Sequence, residues 1–303
     1  MKPSRESREY LQELRKNLAF GAVGNEFDLD GLRQGMATRQ TPANSDVKCI
    51  RSQIDGIPCE WVVASGADPD LRLLYLHGGG YVSGSGANYL PLAAHISAAA
   101  GCAVPLPDYR LAPENRFPAA LEDCIRTHEW MIASGPYGPV PAKATFIAGD
   151  SAGGGLTLAT LLALRDRGRP LPVGAMPLSA FADLTLTSES IQSESENDPI
   201  MSPRCLPVFV DLYLGKTDPQ TPFASPVFGD YRGIPPLLIQ VGQYEVIRDD
   251  SVRVAAKARS DGVEVKLEVW PGMVHVFQIR ELPESREAIE HMAGFMRACL
   301  ARQ

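Results

Sequence analysis

The chain has 303 residues, 45% hydrophobic and 21% charged, with a formal net charge of −7. That length and composition suit one large globular unit and exclude disorder over most of the chain. The acidic balance, with no basic run carrying interleaved aromatics, argues against nucleic acid as a partner.

The first stretch, MKPSRESREYLQELRKNLAF, is charged throughout and lacks the apolar centre of a secretory leader. Residues 4–19 read as an amphipathic helix with Tyr10, Leu11, Leu14 and Leu18 on one face. A second helix is predicted around Leu29–Met36. Two strands follow, VKCIRSQI and PCEWVVAS, separated by the hairpin signal Asp55-Gly56. The rhythm then changes. LRLLYLH reads as a buried strand ending in glycines, NYLPLAAHISAAAG as a helix closed by Gly101, and CAVPLPDY as the next strand. FPAALEDCIRTHEWMIAS is a helix, ATFIAGD a strand, AGGGLTLATLLALRDRG a helix and VGAMPLSAF a strand. Later come the strands PPLLIQVG and EVKLEVW with the helix DDSVRVAAKARSDG between them, and a final helix over Ser285–Leu300. Short apolar strands alternating with helices define an α/β fold, a mostly parallel sheet covered on both faces.

Residues 184–235 break the alternation and hold no obvious strand. Within them SPRCLPVFVDLYLG reads as a helix, with Ser202 as its N-cap and Pro203 at its first position. An insertion of this length in a sheet protein is expected to cover something. No apolar run reaches the ~18 residues of a membrane span. The six cysteines (49, 59, 102, 124, 205 and 299) form no C-x-x-C pair. That scatter suits reduced thiols in a cytoplasmic protein. The five histidines show no metal-binding spacing, so neither a metal nor an organic cofactor is expected.

The chemistry concentrates in GDSAGGG, Gly149 to Gly155, between a predicted strand and a predicted helix. GDSAG fits G-x-S-x-G. In a strand–turn–helix context this motif strains the serine and lifts its hydroxyl above the sheet. Small neighbours let strand and helix approach, and the helix N-terminus offers N–H groups to a developing negative charge. Ser151 is therefore the candidate nucleophile. A phosphate loop is excluded, because neither G-K-[ST] nor G-x-G-x-x-G is matched. HGGG, His77 to Gly80, directly follows LRLLYL and can present backbone donors to an oxyanion.

A serine hydroxyl needs a base. His77 starts the glycine loop and is expected to brace it. His95 and His128 fall within helices, as packed or surface residues, and His291 falls on a solvent-facing side of the last helix. His275 follows the last strand and the loop Pro271-Gly272, at the C-terminal end of the sheet where sites in such folds are built. The acid that orients it should follow PPLLIQVG. Glu245 stands in that loop and is the candidate. Asp249 is held in reserve, because it falls at a helix start and reads as a cap.

Taken together, HGGG, DYRLAPE (Asp108–Glu114), GDSAGGG and PGMVHVF stand in the order found in the hormone-sensitive-lipase-like esterases, bacterial family IV of the α/β-hydrolase fold. The chain resembles that family over nearly its whole length, in the GDSAG subgroup. The family's acid usually sits in D-P-L-x-D. Here the matching segment is Glu245-Val-Ile-Arg-Asp249, with glutamate first, and the offset from Glu245 to His275 fits the family's spacing. Val274 also stands where proline is common.

The resemblance implies hydrolysis of small, short-acyl carboxylic esters by Ser151, His275 and Glu245, with an oxyanion hole from Gly79, Gly80 and Ala152. It implies a cap made of residues 1–45 and the insertion 184–225, over a catalytic domain in two parts, 46–183 and 226–303. DYRLAPE is expected to brace the loops through a buried Asp–Arg arrangement. Leu206, Phe209, Val210 and Tyr213 recur at helical spacing, either lining the acyl pocket or packing on the main domain. A homodimer through the edge strand near Glu264–Trp270 is also implied. An amidase or lactonase would share this machinery. A non-catalytic binder such as the related gibberellin receptors would lack the histidine, which this chain retains.

Overall fold

The strands of this chain gather into one sheet because their apolar residues alternate between two buried faces. The computed structural model describes residues 2–16, 27–38, 40–42 and 46–303. The strands are β1 (Val47–Ile54), β2 (Ile57–Ala64), β3 (Asp68–Leu76), β4 (Cys102–Pro107), β5 (Ala144–Asp150), β6 (Gly174–Leu178), β7 (Leu237–Tyr244) and β8 (Val265–Val274). They lie in the order β1-β2-β4-β3-β5-β6-β7-β8. β2 runs antiparallel to both β1 and β4; from β4 through β8 every pairing is parallel.

The first two strands form the predicted hairpin. Asp55 and Gly56 both take positive φ, 49° and 80°, and Ile54 pairs with Ile57 across the turn. Positive φ at both central residues is what a two-residue hairpin turn requires. In the parallel strands the side chains divide by parity. Leu74 and Leu76 of β3 join one core cluster, while Leu73 and Tyr75 join the other.

Helices α3 (Leu90–Ala100) and α9 (Pro283–Leu300) cover one face. Helices α4 (Ala119–Ala133), α5 (Ala152–Asp166) and α8 (Arg248–Ser260) cover the other. Arg72 is buried within β3, and its guanidinium donates to the carbonyls of Pro69, Met131 and Val140, stitching the end of α4 to the sheet. Among the described residues no helix is long and apolar enough to cross a membrane.

The N-terminal elements are α1 (Arg5–Lys16) and α2 (Leu29–Gly35). The predicted α1 was longer; Leu18, on its expected apolar face, lies outside the described residues. Tyr10, Leu11 and Leu14 are only partly buried. The buried residue of α1 is Ser7, which donates to Glu284 at the start of α9. α2 is capped by Asp28, whose carboxylate accepts the Gly31 N–H at 2.9 Å.

The insertion holds α6 (Ser190–Ser193) and α7 (Leu206–Leu214). α7 starts later than predicted, with Cys205 rather than Ser202 at its N-cap and Pro207 rather than Pro203 in its first turn. Ser202 and Pro203 instead lie in a turn ahead of it. At the other end of the chain, β8 does not stop at Trp270. It continues through Pro271 and Gly272 to Val274, with a register shift against β7 and Gly272 at φ 73°. His275 therefore leaves a strand rather than a loop.

Candidate active site

All the chemistry-bearing segments meet at the C-terminal ends of the parallel strands. Ser151 follows β5 and takes φ 54°, ψ −120°. That strained turn is held at three points. Ser151 N–H donates to the Leu178 carbonyl at 2.9 Å, and its own carbonyl accepts from Gly155 and Phe181. Clearance explains the small residue that follows: a Cβ on Gly153 would collide with the carbonyl oxygen of Leu76 in β3.

The aspartate that precedes the serine has a definite task. Asp150 is fully buried, and its Oδ1 accepts the Tyr75 hydroxyl at 3.0 Å and the Gly78 N–H at 3.1 Å. Its Oδ2 accepts the Tyr89 hydroxyl at 2.9 Å. Burial pushes its carboxyl up to about 6, against these donors and the nearby His275. Asp150 thus ties the serine turn to the glycine loop.

In that loop Gly79 and Gly80 take φ of 125° and 62°. A Cβ on Gly80 would strike the ring of Phe209 from α7. Among the described residues, no acceptor takes the N–H of Gly79, Gly80 or Ala152. His77 sits behind the loop, fully buried, with Nδ1 2.8 Å from the Gly78 carbonyl and its ring stacked on Tyr109 at 4.1 Å. Burial pulls its basicity down to about 4, against the pull of the Gly78 carbonyl, so the ring stays neutral.

Glu245 follows the last residue of β7 and is wholly buried. Its Oε2 lies 2.9 Å from His275 Nδ1. Its Oε1 accepts the Ser179 hydroxyl at 2.8 Å and the Gly242 N–H. Burial alone would lower the basicity of His275. The hydrogen bond that Nδ1 donates to Glu245, with the charges of Glu245, Asp198 and Asp150, outweighs it and raises the imidazole above its ordinary value. With Nδ1 engaged, Nε2 is the nitrogen left for the serine.

Asp249 is elsewhere. It lies in the first turn of α8, whose N-cap is Ile247, and it does not cap that helix. Its Oδ2 accepts the Ser190 N–H at 3.0 Å, pinning α6 of the insertion. The neighbouring Asp250 accepts the N–H groups of Ala182 and Asp183, each at 2.9 Å.

Ser151 and His275 line a cavity of about 380 Å³ together with Gly79 and Gly80. Met36 and Thr38, after α2, and Ile200, Met201 and Phe209, from the insertion, form much of the remaining wall. Of the four apolar residues at helical spacing in α7, only Phe209 reaches the cavity. Leu206 and Tyr213 are core, and the Tyr213 ring stacks on Tyr81 at 3.9 Å. Within DYRLAPE the bracing is divided. Asp108 accepts the Gly86 N–H at 2.7 Å, Arg110 pairs with buried Asp123 of α4, and Glu114 pairs with Arg33 of α2.

The other histidines stand apart from the cavity. His128 is buried in α4, and His95 is exposed on α3. His291 is not free in solvent; its Nδ1 meets Glu268 at 2.8 Å and its ring leans on Trp270. Among the described residues no group of three His, Cys, Asp or Glu side chains could hold a metal ion. Sequence reasoning missed Asp150, Ser179 and Asp198. Only Asp150 carried a signal, as the middle letter of the serine motif.

Residues 73–279 match the α/β-hydrolase fold family. An acetyl-hydrolase of Streptomyces hygroscopicus is 41% identical over 240 residues, 78% of this chain and 79% of that protein. The crystal structure of EstE5 soaked with p-nitrophenyl butyrate superimposes with a TM-score of 0.91 at 40% identity, covering 98% of this chain and 99% of that one. An esterase of the bacterial hormone-sensitive lipase family superimposes with a TM-score of 0.88 at 38% identity, with the same coverage. The chain belongs to the α/β-hydrolase family and, within it, to the hormone-sensitive-lipase-like carboxylic ester hydrolases.

Proposed function

We propose that Ser151, His275 and Glu245 act as nucleophile, base and orienting acid in a two-step hydrolysis of small, short-acyl carboxylic esters. The observation that carries this reading is the 2.9 Å contact between Glu245 Oε2 and His275 Nδ1, beside a serine held at φ 54° on the same cavity. In the first step Ser151 Oγ attacks the ester carbonyl while His275 Nε2 takes its proton. The N–H groups of Gly79, Gly80 and Ala152 receive the oxyanion. His275 then protonates the departing alcohol. A water molecule, activated by the same nitrogen, attacks the acyl-enzyme and frees the acid.

Residues 1–45 and the insertion 184–225 serve as the cap. Met36, Ile200, Met201 and Phe209 in the cavity wall support that role. The apolar wall and modest volume favour acyl groups from acetate to octanoate over long chains, which would have to thread beneath the cap. The acetyl group named for the Streptomyces relative and the butyrate ester soaked into EstE5 agree with this range. Pairing of β8 with its copy in a homodimer, and residence in the reducing cytoplasm, complete the proposal. The first is supported by the edge position of β8, the second by the buried thiols of Cys59, Cys102, Cys124, Cys205 and Cys299, which form no disulfide.

The test is Ser151→Ala assayed on p-nitrophenyl esters of increasing chain length. The wild-type protein should peak at short acyl groups, and the variant, still folded, should lose at least about 10⁴-fold in kcat/KM. Residual turnover near the wild-type rate would overturn the nucleophile assignment. A maximum on emulsified long-chain triglyceride would overturn the size assignment.

A further inference from the structure

Asp198, in the insertion after α6, is a carboxylate only 4% exposed to solvent. Its Oδ1 accepts the N–H groups of Ile200 and Met201, at 2.8 and 3.0 Å. Those bonds alone would make it an ordinary turn residue. Its second oxygen reaches further. Oδ2 accepts the N–H of Val246 at 3.0 Å, across 48 residues of sequence. Val246 directly follows Glu245, and Ile200 and Met201 line the cavity above Ser151. The Val246 carbonyl is held in turn by the Ser190 hydroxyl at 2.8 Å, so the acid loop is clasped to the insertion through the two peptide units that flank Val246.

We propose that Asp198 is a positioning residue for hydrolysis, locking the cavity wall to the loop that carries Glu245 and setting a fixed negative charge beside His275. The inference rests on the assignment of Glu245 and His275 made above. It deepens that assignment by making the insertion part of the charge arrangement as well as a cover.

The physical case has two parts. A loop that must hold a carboxylate on an imidazole nitrogen loses alignment if the next peptide is free to rotate, and small misplacements of a catalytic set are costly. In addition, the transition state leaves a positive imidazolium in a dry site, where each nearby negative charge stabilises it. Three carboxylates supply such charge: Glu245 from the end of β7, Asp150 from the end of β5, and Asp198 from the insertion. The neighbouring cations are differently engaged. Arg248 of α8 pairs with Glu194 and Asp249, and Arg280, past the turn after His275, lies over the Tyr10 ring. Burial raises the Asp198 carboxyl above the usual carboxylate range, while His275 and the three N–H donors favour its charged form.

The test is Asp198→Asn. Asparagine keeps one acceptor oxygen, so it can hold either the Ile200–Met201 turn or the Val246 N–H, and it removes the charge. The folded variant is expected to lose about tenfold in kcat on p-nitrophenyl butyrate. The acid limb of its kcat/KM profile should move to lower pH, because an imidazole that has lost a neighbouring anion is less basic. A lower melting temperature with unchanged kcat and an unmoved acid limb would overturn the proposal and leave Asp198 a turn residue.

Should Asp198→Asn fail to fold, Asp198→Glu carries the test. It retains the charge but misplaces the oxygens, so kcat falls while the acid limb stays put; wild-type kcat would overturn the proposal. An inactive Ser151→Ala beside a silent Asp198→Asn sinks this inference alone. An active Ser151→Ala sinks the assignment beneath it.

Discussion

Glu245 and Asp249 stand four residues apart and do different work, which makes them a useful pair to separate by mutation. Glu245→Gln removes the acceptor facing His275 Nδ1 and is expected to lower turnover by about 10⁴, with little change in melting temperature. Asp249→Asn weakens the bond to Ser190 and should cost about 1 kcal/mol of stability with a far smaller loss of rate. The opposite pattern in activity assays and thermal melts would reverse the roles. The pH profile belongs to the same scale. In the proposed mechanism His275 must be neutral to accept the serine proton, and its surroundings hold its basicity above the ordinary 6.5. Below that raised value the base is protonated. The acid limb of wild-type kcat/KM should therefore lie above pH 6.5 and not below it. Ser151 and His275 were legible in the sequence because short motifs force their backbone. Ser179, whose hydroxyl bridges to Glu245 across 66 residues, was not, since a lone serine after a strand carries no local signature.

At the scale of elements, α7 is the part of the insertion that meets the glycine loop at Gly80. Phe209 rests against Gly80 and crosses the Phe27 ring edge-on at 5.3 Å, and Tyr213 stacks on Tyr81. Phe209→Ala would remove a buried ring, at a cost of about 3–5 kcal/mol, and widen the cavity at that wall. The expected outcome is a lower melting temperature and a shift of the p-nitrophenyl ester optimum toward longer acyl chains. An unmoved optimum would mean that Phe209 does not bound the acyl site. Helical spacing announced α7 but not its start, because Ser202-Pro203 mimics an N-terminus that the chain spends on a turn. Nor could spacing say which apolar residue faces the cavity. Phe209, Leu206 and Tyr213 share one face of α7, and only tertiary packing separates the wall from the core.

Across the whole molecule, the strand–helix alternation was readable because the inner strands β4, β5 and β6 are buried throughout and helices such as α3 and α5 stop at Gly101 and Gly168. Strand order was less so. β4 lies between β2 and β3, a crossover that no local pattern encodes. The order has a testable consequence at β8, which ends the sheet and leaves Val269 41% exposed. An unpaired edge of this kind invites a second copy. Sedimentation should show a dimer for the wild-type chain and a monomer for Val269→Lys. A wild-type monomer at micromolar concentration would end the dimer proposal.

The two aspartates that open α8 have one more consequence. The insertion leaves the sheet after β6 and returns at β7, two strands that are neighbours, paired at Leu178 and Gln240. Its departure is pinned by Asp250 at Ala182 and Asp183, and its first helix by Asp249 at Ser190. The polar anchors therefore cluster in the early part of the insertion. Residues 206–214 are held differently: Leu206, Phe209, Tyr213 and Leu214 are buried in the core, and the Tyr213 carbonyl accepts the Phe117 N–H at 2.9 Å. A foreign segment grafted over α7 would inherit the direction of its entry from the host, and it would have to restore that packing above Gly80 before it could reshape the cavity wall.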